Sequence, residues 1–225
     1  MRKFFILLIM TTLVALTGCL KEGADTIALP LGKIPDGVIP IAIRDQFEQY
    51  MPIYEGIAPP RIVGEYLAQP LTLVFTSDYN FDVGHVFAPQ YFAFESQSSS
   101  GMARYKERQG GGETEAPNVY VVGEGNNFTA YFISTSANYS SDGELRSTSK
   151  MSTIMSGTLT NEGISNYRYA FIMLEKDDPN HILMEVNEYR VFEDGDGLVD
   201  LYDWAKSIVK EGDFTTVCSN NYSVK

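Results

Sequence analysis

Asn118-Val119-Tyr120-Val121-Val122-Gly123-Glu124-Gly125-Asn126-Asn127-Phe128-Thr129-Ala130-Tyr131-Phe132-Ile133-Ser134 is the stretch that decides the fold. Two runs rich in valine, tyrosine and phenylalanine flank Gly123-Glu124-Gly125-Asn126. Such runs suit a pleated, half-buried strand, and a glycine-asparagine link suits a tight reversal. The reading is therefore two antiparallel strands, because parallel ones need a long crossover.

The same texture continues in both directions. Upstream, Arg61–Leu67, Leu71–Thr76, Gln90–Ser96 and Met102–Arg108 read as strands, and downstream so do Thr148–Leu159, Asn166–Leu174 and Ile182–Phe192. The links are turn-forming: Ser98-Ser99-Ser100-Gly101, Gly110-Gly111-Gly112, Ser140-Ser141-Asp142-Gly143, Asn161-Glu162-Gly163 and Asp177-Asp178-Pro179-Asn180. No helical period interrupts them. The expectation is a mainly β, antiparallel up-and-down meander. It should close into a barrel or fold as a β-sandwich, since an open sheet leaves edges exposed.

Helical spacing occurs on either side of the meander. Within Pro40–Tyr54, Ile43, Phe47, Tyr50 and Met51 share one helical face, and Pro52 should end the helix. Near the C-terminus, Leu198, Leu201, Tyr202, Ala205, Ile208 and Val209 follow i, i+3, i+4, i+7 spacing, with Gly212 as a stop. This predicts an amphipathic helix packed outside the sheet, with Leu201 and Ile208 buried.

The N-terminus carries an address. Arg2 and Lys3 precede an apolar run, Phe4 to Leu16, too short to span a membrane. The residues Leu16-Thr17-Gly18-Cys19 resemble a bacterial lipobox. The resemblance implies cleavage before Cys19, its lipidation, and membrane attachment through the acyl chains. Residues 1–18 are then a signal peptide, 19–35 a lipidated tether, and 36–225 a single β-rich domain with flanking helices. Lys21-Glu22 partly resembles the charged signal that sends Bacteroidetes lipoproteins to the cell surface. Leu20, not Asp, follows Cys19, which by resemblance to enterobacterial sorting argues for the outer membrane.

A second resemblance concerns architecture. Gly64 and Tyr66, on the first strand of a meander followed by a late helix, resemble the lipocalin layout, where Gly-x-Trp usually stands. The likeness implies a lipocalin-like barrel over roughly residues 61–218.

Bulk properties narrow the function. Of 225 residues, 17 are basic and 29 acidic. Loss of Arg2 and Lys3 with the signal leaves 15 against 29, a formal charge of −14. Such a surface repels nucleic acid and anionic lipid. With Cys19 committed to lipid, Cys218 stands alone, so neither an internal disulfide nor a cysteine metal cluster is available. His85 and His181 are the only histidines, and no metal or other cofactor is expected.

No catalytic arrangement assembles. There is no Gly-x-Ser-x-Gly elbow, and Cys218 has no neighbouring histidine. Paired carboxylates for glycosidase work are long-range and leave no local spacing to read. Asp194-Gly195-Asp196-Gly197 superficially resembles a calcium loop but lacks its later ligands, so it reads as a tight acidic turn. The plentiful aromatics are the remaining material. Tyr66, Phe92, Phe94, Tyr169 and Phe171 are expected on the inward faces, where they either line a site for a small apolar or sugar-like ligand or fill a closed core. The expectation is a non-enzymatic envelope lipoprotein that binds a ligand inside the barrel. The alternative is an interaction subunit of an outer-membrane complex with no internal ligand.

Overall fold

In the computed structural model, which describes residues 37–39 and 41–204, β-strands dominate. The helix α1 is Ile41–Phe47. The strands are β1 Ile57–Ala58, β2 Gly64–Ala68, β3 Leu71–Thr76, β4 Val86–Phe87, β5 Gln90–Glu95 and β6 Met102–Gln109. They continue with β7 Gly112–Glu124, β8 Asn127–Tyr139, β9 Leu145–Leu159, β10 Gly163–Asp177, β11 Tyr189–Asp194 and β12 Leu198–Leu201.

The pairings close a ring. From β5 to β10 each strand lies antiparallel to its sequence neighbour. β10 then pairs with β11 over Arg168–Ile172 and with β12 over Gly163–Ser165. β11 pairs with β3 and β12 with β2, while β4 and β5 lie on the far sides of β3 and β2. β2 and β3 therefore run in one direction and share one ring position, as do β4 with β5 and β11 with β12. The result is eight positions in chain order, the last beside the first. Proline lacks the ladder N–H, and Pro70 and Pro89 fall at two of the three breaks. The third break is the Gly195-Asp196-Gly197 turn. β1 adds a short parallel pairing to β7.

Two-residue links explain the hairpins. Gln109 opposes Gly112 across Gly110-Gly111, and Glu124 opposes Asn127 across Gly125-Asn126. Gly110 and Gly125 take positive φ, 57° and 62°, as such reversals require.

One set of faces points into the ring. Tyr66, Phe92, Phe94, Tyr105, Phe128, Phe132 and Tyr167 are among its fully buried members, joined by Leu71 and Leu73. The outer face carries a second cluster. There Val122, Tyr131, Ile154, Ala170 and Val191 are covered by Ile39, Phe47 and Met51 from the N-terminal segment. Phe47 meets Tyr189 edge-on at 5.7 Å and Tyr50 stacks on Phe75 at 4.3 Å. The helical face expected from spacing is thus the face that packs, although α1 ends at Phe47, five residues before Pro52.

The C-terminal expectation needs correction. Leu198–Leu201 is strand β12, not a helix, and Leu201 is 54% exposed rather than buried. Val199 takes the interior place instead, fully buried. The reason lies in Asp194, whose Oδ1 accepts from the Asp196 and Gly197 amides. Its Oδ2 accepts from the Gln69 amide, which ties the turn to the β2–β3 break and delivers β12 to β2. The tight acidic turn is present as expected, but the chain leaves it as a strand. Tyr202 follows the strand with its backbone amide donating to the Glu65 carbonyl at 2.8 Å. The expected helix from Ala205 onward, with Ile208 and Cys218, lies outside the described residues, as do the signal, Cys19 and the tether. The expected strand Ile182–Phe192 is also shorter, starting at Tyr189. Before it, the Asp178 carboxylate captures the Ile182 and Leu183 amides and holds residues 178–188 as a loop.

Candidate functional site

Tyr66, Phe92, Phe94 and Tyr169 all belong to the inner cluster, and Phe171 packs against it. The shared inward face is therefore as expected. These rings lie on one another: Phe92 has Tyr66 at 5.2 Å, Tyr167 at 5.6 Å, Phe94 at 5.9 Å and Tyr105 at 6.1 Å between centroids. Tyr169 stacks on Phe192 at 5.7 Å. With Phe92 completely buried, the arrangement is that of a packed core.

Gly64 is part of the same packing. The Tyr66 ring folds back over it and donates from Oη to the Ile62 carbonyl at 2.9 Å. A Cβ at Gly64 would lie 2.9 Å from that oxygen, so the Gly-x-Tyr spacing provides room for the ring. Burial pushes the Tyr66 phenol up to about 12.

Beside the aromatic layer lies a buried polar network. Tyr105 donates its hydroxyl to Glu107 Oε2, and Tyr167 donates to Gln90 Oε1 at 2.8 Å. Burial raises the Glu107 carboxyl above the usual carboxylate range, against the lowering effect of its Tyr105 and Gln90 partners. Burial likewise holds the phenols of Tyr105, Tyr167 and Tyr169 well above normal, with the Glu107 charge adding to it.

Two surfaces remain. The first is a groove of about 950 Å³ over β6–β10, and none of the five expected aromatic residues lines it. Tyr105 and Glu107 point inward, so Lys106 and Arg108 project from the opposite face. Strand register aligns two cross-strand rows there. Lys106, Glu115, Thr135, Lys150 and Glu175 form one, and Arg108, Glu113, Ala137, Thr148 and Asp177 the other. Neighbours within the rows pair, Arg108 with Glu113 at 3.4 Å and Lys150 with Glu175 at 2.8 Å. Trp204 also lines the groove. Its amide donates to Glu65 Oε2 at 2.7 Å, and the Arg108 guanidinium lies 5.6 Å from the indole centroid.

The second surface is one end of the ring. The links β3–β4, β8–β9 and β10–β11 all fall there, because alternate connections of an up-and-down ring share an end. Tyr79 and Val83 stand in the first and Ile182 and Val186 in the last, while Tyr139 and Leu145 are the strand ends that flank the second; all are exposed, with Val83 at 65% and Ile182 at 53%. Asp82, Asp142 and Glu144 stand exposed among them. The base of this rim is firm. Arg190 Nε donates to Asp78 Oδ2 at 2.6 Å, and its guanidinium lies 5.0 Å from the Phe81 ring centroid. Burial raises the Asp78 carboxyl, but Arg190, the Asn80 amide and Thr76 outweigh this and hold it below the usual range.

Sequence reasoning missed both surfaces. The groove had a signal, the alternating charges on its strands, but its assembly depends on register. Among the described residues no group of three or more His, Cys, Asp or Glu side chains is placed to hold a metal ion. No helix among them is long and apolar enough to cross a membrane. Neither a family model, nor a curated protein, nor a solved structure matches this chain.

Proposed function

We propose that the chain is a lipid-anchored, non-enzymatic bacterial envelope protein, an interaction subunit of an outer-membrane complex that contacts its partner through the apolar-tipped rim. The observation that carries this reading is the set of six exposed large apolar side chains in or beside three links at one end of a packed interior. Exposed apolar patches of that kind mark contact sites rather than inert surface. The carboxylates between the tips favour a partner bearing lysine or arginine around an apolar centre over anionic lipid head groups. Attachment to the outer membrane through lipid on Cys19 supplies the location. The strand order, each strand beside its sequence neighbour, supports a lipocalin-like barrel whose interior serves stability. The acidic surface argues against nucleic acid as a partner.

The test combines four exposed substitutions, Tyr79→Ser, Val83→Ser, Ile182→Ser and Val186→Ser. Each should change stability by no more than about 0.5 kcal/mol. Chemical cross-linking in intact cells should trap the native chain in a larger species and the variant as a monomer. An unchanged cross-linked species sinks the rim reading. Cys19→Ser should release the chain from the membrane fraction; retention there without acyl mass on the peptide sinks the anchor.

A further inference from the structure

We infer that the groove over β6–β10 is a binding site for a neutral oligosaccharide. Its two rows cross five strands, a length of roughly 19 Å at the usual strand spacing. With a volume of about 950 Å³ it suits an extended ligand of several rings better than a single one.

The chemistry of the wall selects the class. Cations and anions are interspersed over the two rows, Lys106, Arg108 and Lys150 with Glu113, Glu115, Glu175 and Asp177, and two pairs close within them, Arg108 with Glu113 and Lys150 with Glu175. Such a wall has little net charge to offer a charged ligand. It retains carboxylate lone pairs, ammonium and guanidinium donors, and the hydroxyls of Thr135 and Thr148. Sugar hydroxyls, which donate and accept at once, match that mixture, and bonds to ionised partners are the stronger kind. Trp204 contributes an aromatic side chain, the residue type that takes the C–H face of a pyranose ring. The lining offers apolar surface beside its polar groups, with Ala137, Tyr139 and Trp204 as its apolar side chains, which suits the C–H faces of sugar rings as well as their hydroxyls. An extended peptide finds no free strand edge along β6 to β9, which are paired on both sides, and β10 has one only beyond its β11 pairing, at the far end of the rows.

The site touches the rim at Tyr139, which the four-serine rim variant leaves in place, and its test uses a built-in reporter. Trp204 is the single tryptophan of the chain. The full chain, held in a detergent without a sugar head group, is titrated with hexaoses of glucose, mannose, xylose and N-acetylglucosamine, and with hexagalacturonate as the acidic control. At least one neutral hexaose should shift tryptophan emission saturably, with calorimetry giving the same half-saturation. Glu113→Gln with Thr135→Ala should weaken that binding by about tenfold or more, the worth of a lost charge-assisted hydrogen bond. The four-serine rim variant should leave it unchanged. No response to any neutral probe, a preference for hexagalacturonate, or binding that ignores the Glu113 and Thr135 changes overturns the inference.

Discussion

Phe92→Ala distinguishes a packed interior from a ligand chamber. Phe92 is completely buried, and four aromatic rings surround it at centroid distances from 5.2 to 6.1 Å. Removing a buried phenylalanine ring costs about 3–5 kcal/mol, the lost transfer free energy plus the cavity left behind. Each aromatic pair adds roughly 0.5–1.5 kcal/mol beyond area. Because Tyr66, Tyr105 and Tyr167 around the void are each held by a hydrogen bond and resist collapse into it, the upper part of the range is expected, about 4–5 kcal/mol. For a domain of this size that corresponds to a fall in Tm of about 10–20 °C. Phe92→Leu, which keeps most of the volume, should cost under about 1.5 kcal/mol. Urea unfolding followed by far-ultraviolet circular dichroism measures both, provided the m-value is unchanged. A loss below about 1 kcal/mol for the alanine variant would mean that the ring faces open space, and the core reading would fail.

Four further outcomes rest on named residues. Glu107 carries a raised carboxyl in the folded state, so the native protein binds its proton more tightly than the unfolded chain does. Stability should therefore fall as pH rises from about 4.3, the ordinary glutamate value, through the folded one. Glu107→Gln should flatten that slope in thermal melts between about pH 4.5 and 8, and an unaltered slope would place the titration elsewhere. Asp78→Asn strands Arg190 in a nearly buried place and should cost about 3–5 kcal/mol at pH 7. Since the folded Asp78 carboxyl is depressed, that penalty should shrink as pH falls below about 3.9 and through the folded value. A penalty constant from about pH 7 to pH 3 contradicts the ion pair. Phe47→Ala should cost about 3–5 kcal/mol because the N-terminal segment seals the outer face. Leu201→Ala, at an exposed strand end, should cost under about 0.5 kcal/mol in the same denaturation series.

The strands are legible in the sequence because alternation and glycine-rich turns are local. The bounds of Leu71–Thr76 agree to the residue, and parity alone assigns Tyr66, Phe92, Phe94 and Tyr169 to one interior. Closure at β11 and β12 is not legible. The i, i+3, i+4 spacing from Leu198 onward fits a helix equally well. What decides it is the Asp194 carboxylate holding the Gln69 amide, a contact 125 residues away in sequence. The groove is hidden for a related reason. Lys106, Glu115, Thr135, Lys150 and Glu175 lie on five strands, and only the register sets them in a row. Whether the aromatic face lines a cavity or fills a core is likewise a question of ring-to-ring distance, on which the pattern of residue types is silent.

The proposed contact face is tested most directly by a photo-reactive benzoylphenylalanine placed in turn at Tyr79, Ile182 and Ile57, in cells that carry the chain in its own envelope. All three positions are exposed, and Ile57 lies at the opposite end of the ring beside Gly123. Irradiation should give one discrete protein adduct from positions 79 and 182 and none from 57. Adducts from position 57 alone, or from none of the three, would contradict an interaction role for the rim.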